Sequence, residues 1–127
     1  MELPFISIVI PTRRSREVLR QCLDSLEKQT YPKEKIEVVL VSSSPLEIHT
    51  SLLTRVVTVG SETGYAEARN KGVAEAKGEV LAFLDDDCAA PQDWLAEAVL
   101  LFQSDEKISL VGGMYDLATG RVEFFPQ

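Results

Sequence analysis

Three consecutive carboxylates, Asp85, Asp86 and Asp87, stand directly behind the apolar run VLAFL (80–84). Adjacent acids repel one another, so their place at the mouth of a buried strand calls for a compensating cation. Asp85 and Asp87 are two residues apart, and in extended chain alternate side chains face the same side. Hard carboxylate oxygens suit Mg²⁺ or Mn²⁺, ions that retain waters and take phosphate oxygens as further ligands. A solvated acidic loop is the plainer alternative, because charge runs are usually that. The triplet's fixed place behind a strand favours the metal. Other chemistry-bearing residues lie in PTRR (11–14), in SSSP (42–45) and in ARN (68–70). Arg13 and Arg14 can meet phosphate or stack on a base, or can form an exposed basic turn. Cys88 adjoins the acids, but no Cys or His pattern accompanies it, which argues against zinc. Cys22 reads as a small buried hydrophobe on a helix, and His49, the only histidine, as a surface-loop residue.

The elements that must position these groups are legible as period changes. FISIVI (5–10) is apolar and β-branched, the pattern of a strand buried on both faces, and Pro11 with Thr12 is expected to end it. Val18, Leu19, Cys22, Leu23 and Leu26 recur with helical spacing over 16–29, with Ser15 as N-cap. IEVVLVS (36–42) is a second buried strand and TRVVTVG (54–60) a weaker third. The stretch 62–79 predicts a glycine-led helix with a small inner face of Ala66, Ala68, Ala74 and Ala76, closed by Gly78 as C-cap. EVLAFLD (79–85) is the fourth strand. A helix follows over 91–103, opened by Pro91, with Trp94, Leu95, Ala98, Val99 and Phe102 as its apolar stripe. Trp94 therefore belongs to the core. ISLVGGMY (108–115) and GRVEFF (120–125) are strands that pair with each other or a neighbour. Strands alternating with helices predict a three-layer α/β domain, a largely parallel sheet with helices on both faces. Ligands of such sheets bind beyond the carboxyl ends of the strands, which here carry PTRR, SSSP, GSETG and DDD.

Composition sets outer bounds. The 127 residues fit one domain, 1–127, with one core. A net charge of −7 argues against a duplex nucleic-acid partner, which needs a basic footprint. No apolar run reaches the roughly 20 residues of a membrane span, and the N-terminus lacks the basic start of a signal peptide. The expected location is the cytoplasm, with docking at the cytoplasmic face of a membrane left open.

The ordered pieces SIVIPT, LDSLEKQTYP, IEVVLVS, ARNKG, AKGEVLAFLDDDCAAPQDWL and VGG, from Ile6 to Gly113, resemble the nucleotide-sugar-binding half of the family 2 glycosyltransferases, of GT-A fold. The resemblance implies inverting transfer of a sugar from a nucleotide-diphosphate donor, a UDP- or GDP-sugar, to a glycan, lipid or protein acceptor. It implies that Asp85–Asp87 is the family's DxD signature. Asp87 would coordinate Mn²⁺ or Mg²⁺ at the donor diphosphate, and Asp85 or Asp86 would assist through the metal's waters or the ribose hydroxyls. It places Pro11 and Thr12 beside the base and lets Arg69 offset diphosphate charge, a surface salt bridge from Arg69 to Glu62 or Glu67 being the alternative. It also puts Gly64 at a turn whose backbone N–H groups approach the ligand, and Gly112-Gly113 near the donor sugar, a pair that a sheet bulge explains as well. Two departures stand out. Arg13 and Arg14 replace an aromatic residue and an asparagine. Ser42 and Ser43 replace an acidic pair that would accept the uracil imide N–H, a bond that Ser43 can make only without charge assistance.

The family's general base lies in a later acidic motif that these residues do not contain, so the domain is expected to be incomplete at its C-terminus. The chain is then a fragment, a short member or one part of an assembly, expected to bind donor and to transfer poorly or not at all alone. VEFF (122–125) offers an apolar patch, and a homo-oligomer is expected. A nucleotidyltransferase is the enzyme rival, but PTRRSRE lacks the glycine such a loop needs. A non-catalytic nucleotide-binding or scaffold α/β domain is the other alternative. A receiver domain would need acids after its first strand, where PTRR stands.

Overall fold

Every residue of β1 (Ile6–Thr12) and β2 (Ile36–Ser42) is buried, as their unbroken apolar character requires. The computed structural model describes residues 2–116 and 121–126, with side chains from 2 to 112. β1 and β2 pair in parallel from Ile6↔Ile36 to Thr12↔Ser42. β3 (Leu53–Thr58) extends the sheet beside β2, and β4 (Val80–Phe83) lies on the other side of β1. The order is β3-β2-β1-β4, all parallel, so all four carboxyl ends meet at one rim. β3 and β4 are half-exposed edges. Burying one core Ile, Leu or Val side chain is worth roughly 1.5–3 kcal/mol. The central pair of strands therefore carries most of the cohesion.

Alternate residues of the strands feed two cores, which gives the three layers. Ile6, Ile8, Ile10, Val38 and Leu40 pack with Leu19, Cys22, Leu23 and Leu26 of α1 (Arg16–Glu27) and with Leu95 and Val99 of α3 (Trp94–Ser104). Trp94 joins the same cluster, as its stripe predicts. On the opposite face Val9, Val39 and Val41 pack with Ala68 of α2 (Tyr65–Glu75). Ser15 caps α1, its hydroxyl accepting from the Val18 N–H.

Several expected boundaries move, each for a local reason. β1 continues through Pro11 to Thr12 instead of ending there. The Val9 carbonyl accepts from the Leu84 N–H as β4 ends, so Pro11, next on that side, has no strand to donate to and loses nothing. α3 starts at Trp94, because Pro91 sits in a turn closed by the Trp94 N–H. Gln29, at the end of α1, bridges to it, accepting from the Leu95 N–H and donating to the Pro91 carbonyl. α2 is shorter than predicted, and its inner face differs. Ala68 and Gly72 are buried, whereas Ala66 and Ala74 face solvent. A Cβ on Gly72 would lie 2.5 Å from Val9 Cγ1 and 3.0 Å from Val41 Cγ2. Glycine is what lets this helix approach the sheet. Gly78 is not the cap, a place taken by Ala76. It passes so close to β1 that a Cβ would meet the Ser7 nitrogen at 2.5 Å.

Glu37 is the one acid inside β2, and it is fully buried. It accepts from Ser7 Oγ (2.6 Å), the Lys77 N–H (2.7 Å) and Arg55 Nε (2.8 Å). These bonds tie three strands to the segment after α2. β5 (Val111–Asp116) and β6 (Arg121–Pro126) form a separate antiparallel pair. Its register runs without a bulge through Gly112 and Gly113. The phenylalanines of VEFF lie outside the described side chains. Among the described residues no helix is long and apolar enough to cross a membrane.

Candidate functional site

The acidic triplet sits in a tight turn rather than in extended chain. β4 ends at Phe83, and the Cys88 N–H bonds back to the Asp85 carbonyl. The turn folds Asp85 and Asp87 to one side, and their carboxylate oxygens and Cys88 Sγ come within 4.8 Å of one another. The expected convergence is therefore present, but the turn produces it and strand alternation does not. α1 supports the turn from below: Ser25 Oγ accepts from the Ala90 N–H at 2.9 Å.

Asp86 goes the other way. It is 3% exposed, and one of its oxygens accepts from the backbone N–H groups of Arg13 (2.9 Å) and Arg14 (2.8 Å). It thereby holds the turn after β1 against the end of β4. Asp85 and Asp87 are exposed, and each has an arginine partner. Arg69 Nη2 lies 3.0 Å from Asp85, and Arg14 Nε lies 3.2 Å from Asp87. Arg69 thus pairs with the triplet and not with Glu62 or Glu67. The two guanidiniums offset the repulsion among the aspartates.

Two open clefts meet at Arg14. One, of about 190 Å³, is lined by Thr12, Arg13, Arg14, Ser42, Ser43, Ser44, Leu46 and Ser61. The other, of about 290 Å³, is lined by Arg14, Tyr65, Arg69 and the three aspartates. The first is a hydroxyl-rich trough with no carboxylate among the described residues of its lining. Within it Ser42 is spoken for, donating to the Ser44 carbonyl and accepting from the Ser44 N–H. Ser43 remains exposed in the lining. The wall that carries Leu46 is anchored by Glu27, which accepts from Thr50 Oγ1 and the Ser51 N–H.

Thr12, Arg14, Ser43, Arg69 and Asp85–Asp87 thus gather at the rim where the sequence places them. Pro11 does not: it is buried within β1 and lines neither cleft. Tyr65 is the residue that the sequence reading passes over. Its ring lies 4.5 Å from the Arg13 guanidinium and 5.7 Å from that of Arg69. Its place directly behind Gly64, at the first turn of a rim helix, is the signal available in the sequence. Gly64 has an ordinary extended backbone, and a Cβ there would meet nothing within 4 Å.

The donor set fits a hard divalent cation. Two exposed carboxylates face one cleft beside arginines, as a metal–phosphate site requires. Cys88 fits it poorly. Partial burial and the charges of Asp87 and Asp85 raise its pKa, which keeps the soft thiol protonated. Burial pushes the thiol of Cys22, on the core side of the same turn, up to about 12.

Glycosyltransferase AglE of Haloferax volcanii is 34% identical in an alignment that covers 96% of this chain and 40% of AglE. The poly(ribitol-phosphate) beta-glucosyltransferase of Bacillus spizizenii is 35% identical over 76% of this chain and 16% of its own length. The chain thus spans well under half the length of these relatives. Among solved structures, S. aureus TarS 1-349 superimposes with a TM-score of 0.70 at 24% identity, over 84% of this chain and 34% of TarS 1-349. A Pyrobaculum calidifontis mannosyltransferase, in complex with GDP-Man and Mn²⁺, gives 0.71 at 23%, over 87% of this chain and 35% of its own. Both share the fold: the four-stranded parallel sheet with its helices is that of the GT-A glycosyltransferases. The family profile described as glycosyl transferase family 2 matches residues 7–126, and the chain belongs to that family.

Proposed function

We propose that the rim is the donor site of an inverting glycosyltransferase and takes a nucleotide-diphosphate sugar together with Mn²⁺ or Mg²⁺. One observation carries the reading: a hydroxyl-lined cleft and an acidic cleft share Arg14 as a lining residue, on the carboxyl edge of a parallel sheet. The metal, when bound, would act as a Lewis acid toward the charge that builds on the leaving diphosphate. Asp87 and Asp85 would hold it, while Arg14 and Arg69 bind phosphate oxygens. Thr12 and Ser43 face the base, and Arg13 on Tyr65 closes the side between the clefts. Asp86 holds the loop that carries Arg13 and Arg14 and is a positioning residue. The relatives that bind GDP-Man with Mn²⁺, or UDP-GlcNAc, support a nucleotide-sugar donor. The acceptor's hydroxyl must be deprotonated from the far side of the sugar. We place that base outside these residues, so the chain alone binds donor and transfers sugar poorly.

Calorimetry with UDP and with GDP, each with and without Mn²⁺, tests this. Metal-dependent heat that disappears in Asp87→Ala is the expected result. Equal affinity with and without metal, or an Asp87→Ala chain that binds like the parent, overturns the reading.

A further inference from the structure

Each carboxylate offered to a metal is already held by a guanidinium, and each guanidinium offered to a diphosphate is already held by a carboxylate. Asp85 has Arg69 at 3.0 Å and Asp87 has Arg14 at 3.2 Å. We infer that Arg14 and Arg69 are stand-in cations in the free protein, and that metal and diphosphate bind by a coupled exchange of partners. The inference rests on the donor-site reading and adds to it a rule about order: neither component binds well without the other.

The physics is one of stranded charge. Mn²⁺ alone would take Asp85 and Asp87, and it would leave Arg69 without its partner and Arg14 with only the longer 3.6 Å contact to Asp86, both beside a divalent cation. A diphosphate alone would take Arg14 and Arg69, and it would leave two carboxylates facing phosphate. When both arrive, every charge exchanges one partner for another. The guanidinium fork matches phosphate oxygens, and the hard cation matches carboxylates. The barrier to exchange is low, because all four side chains are 36–58% exposed and such pairs hold weakly. The scaffold need not move either. The backbone N–H of Arg14 is fixed on Asp86, so only its side chain swings. Arg69 has the Tyr65 ring beside it throughout. Coupling of this kind is reciprocal by linkage, so it must appear from both sides.

Arg13 is the internal control. It carries the same charge at the same rim, but its guanidinium rests on Tyr65 and, among the described residues, forms no ion pair; only its backbone N–H meets Asp86. Two binding measurements decide: Mn²⁺ alone, counted by the paramagnetic signal of the free ion, and UDP alone in excess EDTA, by calorimetry. Arg14→Gln and Arg69→Gln should each tighten Mn²⁺ alone by roughly two- to fivefold, as expected for losing one exposed competing pair. The same variants should weaken UDP in EDTA. Asp87→Asn should do the reverse, weakening Mn²⁺ and tightening UDP in EDTA. Arg13→Gln should leave Mn²⁺ alone within about twofold, because an exposed charge without a carboxylate partner competes little. Unchanged thermal midpoints would show that the variants remain folded. If Arg14→Gln and Arg69→Gln leave Mn²⁺ binding unchanged or weaker, or if Arg13→Gln tightens it equally, the exchange is overturned while the donor site stands. If the parent chain binds neither UDP nor GDP even with Mn²⁺, the donor reading falls and takes the exchange with it.

Discussion

Asp86 and its two neighbours look identical in sequence, yet they do different work. Its partners are backbone N–H groups 72 and 73 residues away, which no local pattern announces. The shared side of Asp85 and Asp87 at the rim was legible because strand and triplet adjoin. The burial of Asp86 was not legible, since it depends on which strand lies beside β4. The clefts likewise show that Ser42 is engaged and that Tyr65 faces Arg13, facts of side-chain placement and not of residue type. The distinction has a measurable consequence. Asp86→Ala leaves two N–H groups without their charged acceptor and should destabilise the chain by about 2–4 kcal/mol. Asp86→Asn keeps one acceptor oxygen and should cost less than half of that. Chemical denaturation of both variants checks the ranking. Asp87→Ala, by contrast, removes an exposed group and should leave the unfolding midpoint nearly unchanged.

At the level of elements, β1 and β2 were readable almost to the residue, because burial on both faces leaves no polar position to blur the pattern. The inner face of α2 was misread for the opposite reason. Alanine is as common outside as inside, and a glycine in a helix reads as a weakness until the distance to the sheet is known. Gly72→Ala must push Val9, a stiff β-branched side chain, and should lower stability by about 1–3 kcal/mol. Combining it with Val9→Ala should recover part of the loss, which thermal unfolding of single and double variants would show. Glu37 supplies the pH test. Burial alone would raise its pKa, but the bonds from Ser7, the Lys77 N–H and Arg55 outweigh burial and hold it below the ordinary value of 4.5. The unfolded chain therefore binds the proton more readily. The stability that Glu37 provides is complete above about pH 4.5 and is lost as pH falls through its lowered folded-state value. Glu37→Gln should be less stable at neutral pH and should show a shallower loss below pH 4.5, measured as unfolding free energy against pH.

For the whole molecule, the fold class followed from alternating strands and helices, whereas its outer boundaries did not. The sheet ends at β4, whose Leu81 and Phe83 are exposed on the α2 face. Among the described residues no strand pairs with the far side of β4. Open edges with apolar side chains favour association. We expect the chain to self-associate with rising concentration and Phe83→Thr to shift the equilibrium toward monomer. Sedimentation over a hundredfold concentration range checks this, and a parent chain that stays monomeric throughout refutes it. The sequence also led us to expect association, but through VEFF. The sheet edge supplies an independent reason on residues whose side chains are described.

The Asp86 bracket has one more consequence, in time rather than space. Helical turns form between near neighbours, whereas a bond across 73 positions must wait for a large loop to close. Until that closure the segment after β1 has nothing to hold its shape, however complete the helices are. The finished arrangement of the rim is then among the last features the refolding chain acquires, and a compact but incomplete species would lack it.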